Sequence, residues 1–192
     1  MKLLLYCTKG KPYLIGRKTA PYSYYLDKGG KHSIMDGRDF IHNGTVVAEC
    51  DFRVEEIVCD LRNTKEKGFY EEYTTKSLSE KELLYASKID EISFINYLNS
   101  KNGYAIHIKN LKVFGKPREL NYYCQLDKKA LKESEYEVKE ITKAPQNMMY
   151  CEDGLETKII ISIRPEWLCK ILNGEKTIEV RKKVLKEMLN EK

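Results

Sequence analysis

The sequence predicts an α+β fold that is mainly β, because segments with strand composition outnumber helical segments and the helical segments are short. The strand-like segments are Leu3–Tyr6, Thr45–Val58, Tyr104–Phe114, Lys158–Ile163 and Thr177–Arg181. The length of 192 residues supports one full domain, or two small domains that share a core. With 42% hydrophobic and 33% charged residues, the composition is that of a globular protein, which excludes the disordered and fibrous classes.

The first part of the chain predicts two strands separated by a long loop. Leu3–Tyr6 is short and apolar, and the following Thr-Lys-Gly predicts entry into a loop. Residues 9–43 are rich in Gly, Tyr and Lys with little periodicity, which predicts a long structured loop with room for one short element. In Thr45–Val58, apolar and polar residues alternate, which predicts a strand with one mainly apolar face. Residues 62–77 are polar and predict a second loop.

Two short helices are predicted in the middle of the chain. Ser79 with Glu82 three residues later is a capping-box pattern, which opens a helix to about Ala86. The second helix is predicted over Ile89–Leu98, with Asn102-Gly103 as its end. Gly and Pro then close the strand Tyr104–Phe114 at positions 115 and 117.

The last third of the chain predicts a buried strand, a helix and a final strand. Residues 128–143 are charge-dense and predict a solvated face. After the strand Lys158–Ile163, a Pro at the first helical position predicts a helix over Pro165–Asn173, which Gly174 ends as a C-cap. Residues 182–192 have helical spacing and predict a C-terminal helical tail.

The net charge and the cysteine content limit which binding partners and which cellular location are expected. There are 34 Lys and Arg residues and 29 Asp and Glu residues, so the net charge is +5, which with 14 Tyr permits contact with phosphates and stacked bases. The six Cys include no CxxC pair and predict reduced, mostly buried thiols, so no metal or cofactor is expected. No apolar run is long enough to span a bilayer and no signal peptide is evident, which predicts a cytoplasmic protein without membrane contact.

The densest chemical information lies in residues 164–181, RPEWLCKILNGEKTIEVR. A regular strand would place Thr177, Glu179 and Arg181 on one face, whereas the direction of Lys176 beside the turn is not fixed by alternation. A Lys and a Glu at such a junction could act as nucleophile or base and proton shuttle, or could hold a phosphate together with Arg181. A surface ion pair on an edge strand is the structural alternative.

Segment 160–183, IISIRPEWLCKILNGEKTIEVRKK, resembles the opening motif of ASCH domains in the PUA-like superfamily, most closely the small ASCH proteins of phages and their bacterial hosts. Further segments are similar to the same family: Leu5–Lys11, Asn43–Phe52, Tyr104–Leu120 and Ala144–Tyr150. The resemblance implies a curved, mostly antiparallel β-barrel with short peripheral helices and a cleft beside the turn Gly174–Arg181.

The order of these segments departs from the family. In ASCH proteins the GEKTIEVRK segment precedes the YCTKGK strand, whereas here it comes last, so the chain resembles a circular permutation. Residues 1–181 would then form a single domain, in which segment 158–181 returns to complete the barrel, and residues 182–192 would be a tail at the cut. Alternatively, the last strand pairs with a second copy in a swapped dimer; a monomer remains equally open.

Some ASCH proteins are similar to acetylcytidine amidohydrolases, which use a Lys in G-x-K-T, a Thr three residues later and a distant Glu. By this resemblance Lys176 occupies the Lys position, and Glu179 stands where those enzymes have Thr. Two residues, Glu82 and Glu49, are candidates for the distant Glu. The sequence Gly16-Arg17-Lys18-Thr19 also spells G-x-K-T, but no helix precedes it and it predicts a basic loop.

Other residues are candidates for binding rather than catalysis. Thr8 and Lys9 follow the first strand and would form part of a cleft wall, and Thr177 and Arg181 would contact a nucleotide or RNA phosphate. Trp167, at helical spacing with a buried position, is either a core residue or a base-stacking platform. His107 is predicted to be structural rather than catalytic.

Three functions follow from these observations. The first is a binding module that holds a nucleotide or RNA, with Lys176 and Arg181 on phosphate and Glu179 paired to a base or to Lys176. The second is a hydrolase acting on a modified nucleoside or an RNA linkage, with Lys176 as the activated group and Glu179 as the proton carrier. The third is a phage-type sequestering or inhibitor protein. In each case Lys176→Ala is expected to abolish activity without affecting folding.

Overall fold

The structure, a computed structural model, describes residues 1–8, 22–26, 32–36, 39–42, 44–66, 68–125, 139–154 and 156–190. In the three short ranges between 22 and 42, only the backbone is described. The chain folds as two compact units: unit 1 comprises Met1–Asp51 and Asn110–Gly174, and unit 2 comprises Phe52–Lys109 and Glu175–Lys192. The described residues are mainly β with three short α-helices, which confirms the predicted α+β class. Barrel closure, the permuted order and the single domain 1–181 stay predictions.

The chain forms twelve described strands, three helices and two short 3₁₀ turns, and both turns lie in its C-terminal half. The strands are β1 Lys2–Cys7, β2 Tyr22–Leu26, β3 His32–Asp36, β4 Asp39–His42, β5 Val46–Thr64, β6 Gly68–Thr74, β7 Gly103–Arg118, β8 Cys124–Gln125, β9 Lys139–Glu140, β10 Met148–Asp153, β11 Glu156–Ile163 and β12 Ile178–Arg181. The helices are α1 Glu80–Ser87, α2 Glu91–Leu98 and α3 Pro165–Leu172, and the 3₁₀ turns are Leu120–Tyr122 and Lys186–Asn190. The long strands β5 and β7 each contribute residues to both units.

Unit 1 contains a mixed sheet in the strand order β7-β5-β1-β11-β10-β8-β9. Strand β1 pairs parallel with β11, from Lys2 opposite Lys158 to Cys7 opposite Ile163, and antiparallel with β5. Because β1 has neighbours on both sides and is covered on both faces, its continuous apolar sequence LLLY is fully buried. The predicted first strand and the predicted strand at 158–163 are therefore confirmed.

One core cluster of unit 1 lies on one face of this sheet. Leu4 and Tyr6 of β1 and Ile160 of β11 point to the same face, where they pack with Tyr123 from the segment after β7. Helix α3 packs near β1, and Leu168 lies on its buried face. Alternation in paired strands therefore decides which residues form this core.

Two regions predicted as loops contain strands. Strands β2, β3 and β4 lie within residues 9–43 and form an antiparallel three-stranded sheet. In unit 2, β5 continues to Thr64 and pairs with β6, so the predicted loop 62–77 is largely a β-hairpin. Both loop predictions were wrong because the strands in these regions are short or charge-rich. In the β5–β6 hairpin, cross-strand ion pairs such as Arg62–Glu72, at 2.9 Å, take the place of an alternating apolar pattern.

The predicted helices of unit 2 are confirmed, including the capping box at Ser79 and Glu82. Helix α2 ends at Asn99 in the left-handed conformation, with φ 54°, rather than at Asn102-Gly103 as predicted. Gly103 instead begins β7, where a Cβ atom would lie 2.7 Å from Leu98 Cδ2 and 3.2 Å from the Arg181 carbonyl oxygen. This glycine permits α2, β7 and β12 to approach closely.

The elements from β7 to the C-terminus match the prediction with three differences. Helix α3 and strand β12 form as predicted, and Gly174 follows α3 with φ 72°, a conformation that favours glycine. Strand β7 continues through Gly115 to Arg118 instead of closing there. The described part of the tail is a 3₁₀ turn. In the charge-dense segment, residues 128–138 lie outside the described residues; residues 139–143 include the short strand β9 and are exposed as predicted, except for the buried Ile141.

The six Cys all lie among the described residues and none is in a disulfide; Cys7, Cys50, Cys151 and Cys169 are buried, which confirms the prediction of mostly buried thiols. Among the helices that the structure describes, none has the length and apolar character needed to cross a membrane.

Candidate functional site

Strand β12 and the turn before it bring three charged side chains of unit 2 together. The Glu179 carboxylate lies between two cations, with Lys176 Nζ at 3.3 Å from Oε2 and the Arg181 guanidinium at 2.9 Å from Oε1. We call these three residues the β12 cluster. Lys176, Glu179 and Arg181, which the sequence predicted as site residues, therefore form one connected group.

The strand period explains why this cluster forms. Ile178 and Val180 point into the core of unit 2, so Glu179 and Arg181 lie on the opposite face, as alternation predicts. Lys176 lies before the regular strand, and its side chain reaches Glu179. The direction of Lys176, which alternation left open, is thus set by its partners.

Lys176 also connects β12 to the C-terminal end of α1. Its Nζ group donates a hydrogen bond of 2.7 Å to the Ser87 carbonyl oxygen, and the Thr177 backbone N–H donates to the Ala86 carbonyl at 3.0 Å. The last carbonyls of a helix lack intrahelical partners and carry partial negative charge. Helix α1 has no basic residue in its own last turn, so Lys176 supplies the cation.

The cluster is buried but not neutral. Lys176 is 2% exposed and Glu179 is 8% exposed, whereas the Arg181 side chain is 15% exposed. The formal charges of these three side chains alone are +1, −1 and +1, which sum to +1. A buried carboxylate that bridges two cations is strongly held.

More positive charge and an aromatic ring follow at the end of β12. Lys182 and Lys183 are exposed and extend Arg181 into a run of three cations. Lys182 Nζ lies 5.1 Å from the ring centroid of Tyr97, whose side chain is partly exposed. Sequence analysis did not single out Tyr97, Lys182 or Lys183, although the basic run at 181–183 was visible.

Glu82 has a structural partner at the other end of α1. Its carboxylate accepts hydrogen bonds from the backbone N–H of Ser79 at 2.9 Å and from the Ser79 hydroxyl at 2.7 Å. The pKa of Glu82 is held below its ordinary value by these bonds. Ser87 lies five residues after Glu82 in α1, or about 7.5 Å along the helix axis. A catalytic role for Glu82 stays a prediction.

Of the other predicted site residues, Thr8 and Trp167 belong to unit 1, Thr177 belongs to unit 2, and Lys9 lies outside the described residues. Thr8 is half-buried at the end of β1, and its N–H donates to the Ile163 carbonyl at 3.0 Å. Trp167 is half-buried on α3, and Lys170 Nζ lies 4.5 Å from its ring centroid. Whether it serves as a core residue or as a stacking platform stays a prediction. Lys9 and the basic sequence at 16–19 lie outside the described residues. Thr177 is exposed in unit 2.

Glu49, the second candidate for a distant carboxylate, belongs to a charge network in unit 1. Its carboxylate lies 3.3 Å from Lys158 Nζ and 3.4 Å from Lys112 Nζ. Lys158 also lies 3.0 Å from Asp153. Burial works to raise the pKa of Glu49, but the two lysines outweigh it, so the pKa is lowered. Glu49 is therefore paired with two lysines of unit 1.

His107 belongs to a separate polar group in unit 2. Its Nε2 lies 3.6 Å from Glu55 Oε2, and Glu55 accepts hydrogen bonds from the hydroxyls of Ser77 and Thr75, each at 2.7 Å. Burial lowers the pKa of His107 despite the nearby carboxylate. Since the Glu rather than the His contacts the hydroxyls, this is not the arrangement that activates a serine nucleophile.

Among the described residues, no group of three or more His, Cys, Asp or Glu side chains is arranged to hold a metal ion. Comparisons with protein-family models, with curated proteins and with solved structures find no match to this chain.

Proposed function

We propose that the protein is a nucleotide- or RNA-binding module of the ASCH, PUA-like type, and that it contacts phosphate at the exposed end of the β12 cluster. The observation that carries this proposal is the Glu179 carboxylate between Lys176 and Arg181, which holds the Arg181 guanidinium in place beside the exposed Lys182 and Lys183. The resemblance of segment 160–183 to ASCH domains supports the same conclusion.

The geometry favours binding over hydrolysis. A lysine that acts as nucleophile needs an available lone pair and a path to its substrate. Lys176 Nζ instead donates to the Ser87 carbonyl and contacts Glu179, and the residue is almost fully buried. In this proposal Lys176 is a positioning residue: it fixes Glu179, which in turn fixes the Arg181 guanidinium.

A guanidinium fixed in this way suits phosphate recognition. Its planar set of N–H donors matches two phosphate oxygens, and an ion pair on one side holds the plane in place. Lys182 and Lys183 add exposed positive charge beside Arg181, and Tyr97 offers a ring on which a base can stack. The ligand class is therefore a nucleotide or a single strand of RNA.

The test is a titration of a fluorescently labelled single-stranded RNA, followed by anisotropy at KCl concentrations from about 50 to 200 mM. The double variant Lys182→Gln/Lys183→Gln is expected to bind about tenfold more weakly at low salt and to reduce the slope of log affinity against log salt by roughly 1.5. Lys65→Gln removes one exposed positive charge of the same unit, at the β5–β6 turn; it is the control and is expected to bind like the wild type.

The same mixtures are analysed by mass spectrometry for cleaved or deacylated products. Intact RNA with salt-sensitive binding supports the proposal. Absence of RNA binding, or equal effects of the Lys65 and Lys182/Lys183 substitutions, contradicts it, and product formation would favour the hydrolase instead.

A further inference from the structure

Unit 1 contains a cleft of about 580 Å³ at the C-terminal end of β1. Tyr6 and Thr8 line it from β1, Gly44 lines it from the turn before β5, and Glu119–Asn121 and Glu140–Ala144 line it from two later segments. This volume lies within the usual range of small-molecule sites, about 300–1,000 Å³. We call it the β1 cleft.

Backbone hydrogen bonds hold the walls of the β1 cleft in place. The Gly44 N–H donates to the Cys7 carbonyl at 2.8 Å, and the Ile141 N–H donates to the Tyr123 carbonyl at 3.2 Å. Each wall is thus tied to a buried residue of unit 1. A ligand would meet a largely preformed surface and would spend little free energy on ordering it.

The floor of the β1 cleft is apolar and continuous with the core. Tyr6, Leu120 and Ile141 line the cleft and also belong to the buried core cluster of unit 1. Burial raises the pKa of the Tyr6 phenol, which therefore stays neutral at physiological pH. This floor suits a flat ring that buries apolar surface on one side.

The rim of the β1 cleft is polar. Thr8, Asn121 and Thr142 provide hydroxyl and amide groups, which can both donate and accept hydrogen bonds. Such groups recognise ring nitrogens, amino groups and hydroxyls without requiring charge. An apolar floor with a few hydrogen-bonding groups at its edge is the usual composition of a small-molecule site.

Charge sets the selectivity of the β1 cleft. Of the lining residues that the structure describes, Glu119 and Glu140 carry −1 each and Lys143 carries +1, so their formal charges sum to −1. This balance disfavours phosphate groups and tolerates neutral or singly positive ligands. The preference is opposite to that of the β12 cluster in unit 2.

We infer that the β1 cleft is a binding site for an uncharged heteroaromatic molecule bearing amino or hydroxyl groups, and that it discriminates against the phosphorylated form of the same molecule. The ring lies on Tyr6, Leu120 and Ile141, and the polar groups of the ligand bond to the rim. This inference does not rest on the proposed function, because it uses residues of unit 1 alone.

Isothermal titration with adenosine and with adenosine 5′-monophosphate, at equal ionic strength, tests the inference. The unmodified protein is expected to bind adenosine at least about tenfold more tightly than the monophosphate. In Glu119→Gln/Glu140→Gln the lining charge changes from −1 to +1, and the preference is expected to disappear or reverse. Glu66→Gln/Glu91→Gln changes the net charge equally on exposed residues of unit 2 and is expected to keep the preference.

A second variant tests the position of the ligand. Asn121→Leu/Thr142→Val removes two rim groups from exposed residues, so it is expected to weaken adenosine binding at least about tenfold while leaving the urea unfolding midpoint unchanged. Absence of adenosine binding to the wild type, equal binding of adenosine and its monophosphate, or normal adenosine binding by the rim variant would each overturn the inference.

Discussion

The Lys176 ammonium closes the end of a helix that lies 89 residues earlier in the chain, through a 2.7 Å hydrogen bond to the Ser87 carbonyl oxygen. The same ammonium lies 3.3 Å from the Glu179 carboxylate. One side chain thus joins α1 to β12 and holds the carboxylate that contacts Arg181. Folding of unit 2 and the geometry of its candidate site therefore depend on a common residue.

Substitutions in the β12 cluster are expected to lower the free energy of unfolding by different amounts. Lys176→Met leaves Glu179 and Arg181 as a balanced pair but removes the donor to Ser87, and should lower the free energy of unfolding by about 2 kcal/mol. Glu179→Gln removes the carboxylate that pairs with both Lys176 and Arg181 and should cost about 4 kcal/mol. Urea unfolding measures both. An equal or smaller loss for Glu179→Gln would contradict the bridging role of this carboxylate.

This prediction replaces the expectation from sequence that Lys176→Ala leaves folding intact. A lysine on a surface turn would satisfy that expectation, whereas Lys176 is almost fully buried. Lys65→Met, at an exposed position of unit 2, is the control and should change stability by less than about 0.5 kcal/mol.

The capping box of α1 gives a test of Glu82. Ser79→Ala removes the hydroxyl that caps the helix and should lower the free energy of unfolding by about 1 kcal/mol. Glu82→Gln keeps an oxygen that accepts from the Ser79 N–H, so RNA binding and turnover should both be unchanged. Loss of activity in Glu82→Gln, with unfolding unaffected, would instead support a catalytic carboxylate.

Stability should fall in acid because of His107 and Glu55. Burial lowers the pKa of His107 in the folded state below its ordinary value of 6.5. At Glu55, burial acts to raise the pKa, but hydrogen bonds from Ser77 and Thr75 outweigh it. The pKa of Glu55 therefore lies below its ordinary value of 4.5. The unfolded chain therefore binds more protons as the pH falls through these ordinary values, first near 6.5 and then near 4.5, and the folded state loses stability.

Urea unfolding at pH 8 and pH 5.5 measures the first of these losses. His107→Asn should be less sensitive than the wild type over this interval, because it lacks the group that titrates there. An identical loss in the variant and the wild type would show that other groups control the acid sensitivity.

Thiol reactivity should separate the cysteines into two classes. Burial is the main cause that raises the pKa of Cys7, Cys50 and Cys151 to about 12, so at pH 8 only about one thiol in 10,000 is ionised. The half-buried Cys59 and Cys124 are accessible. A thiol reagent should label these two in the native protein and the remaining thiols only in denaturant. Cys59→Ser/Cys124→Ser should abolish the native labelling, and rapid labelling of this variant would contradict the burial.

Prediction from sequence succeeded where one local rule determines the structure. The pattern Ser79 to Glu82 fixed the start of α1, Pro165 and Gly174 bounded α3, and alternation placed Glu179 beside Arg181. Each of these features depends on residues within a few positions of one another, so the signal is contained in the local sequence.

Prediction failed where distant partners decide the outcome. The hairpin of β5 and β6 is held by pairing and by charges across the strands, which a polar segment does not reveal. The contact of Lys176 with Ser87 and the meeting of Tyr6 with Ile141 in the β1 cleft join residues far apart in sequence. Spacing alone could name Lys176 but not its buried partners.

Gly103 has an evolutionary consequence. An added Cβ would require the Leu98 side chain to move and the Arg181 carbonyl to shift by a few tenths of an ångström, so descendants of this chain that keep α2, β7 and β12 in place should favour glycine there. A search for distant homologues can therefore use a glycine at this position, followed by a strand and later by the basic Arg-Lys-Lys triplet, as a fingerprint that survives after overall identity has faded.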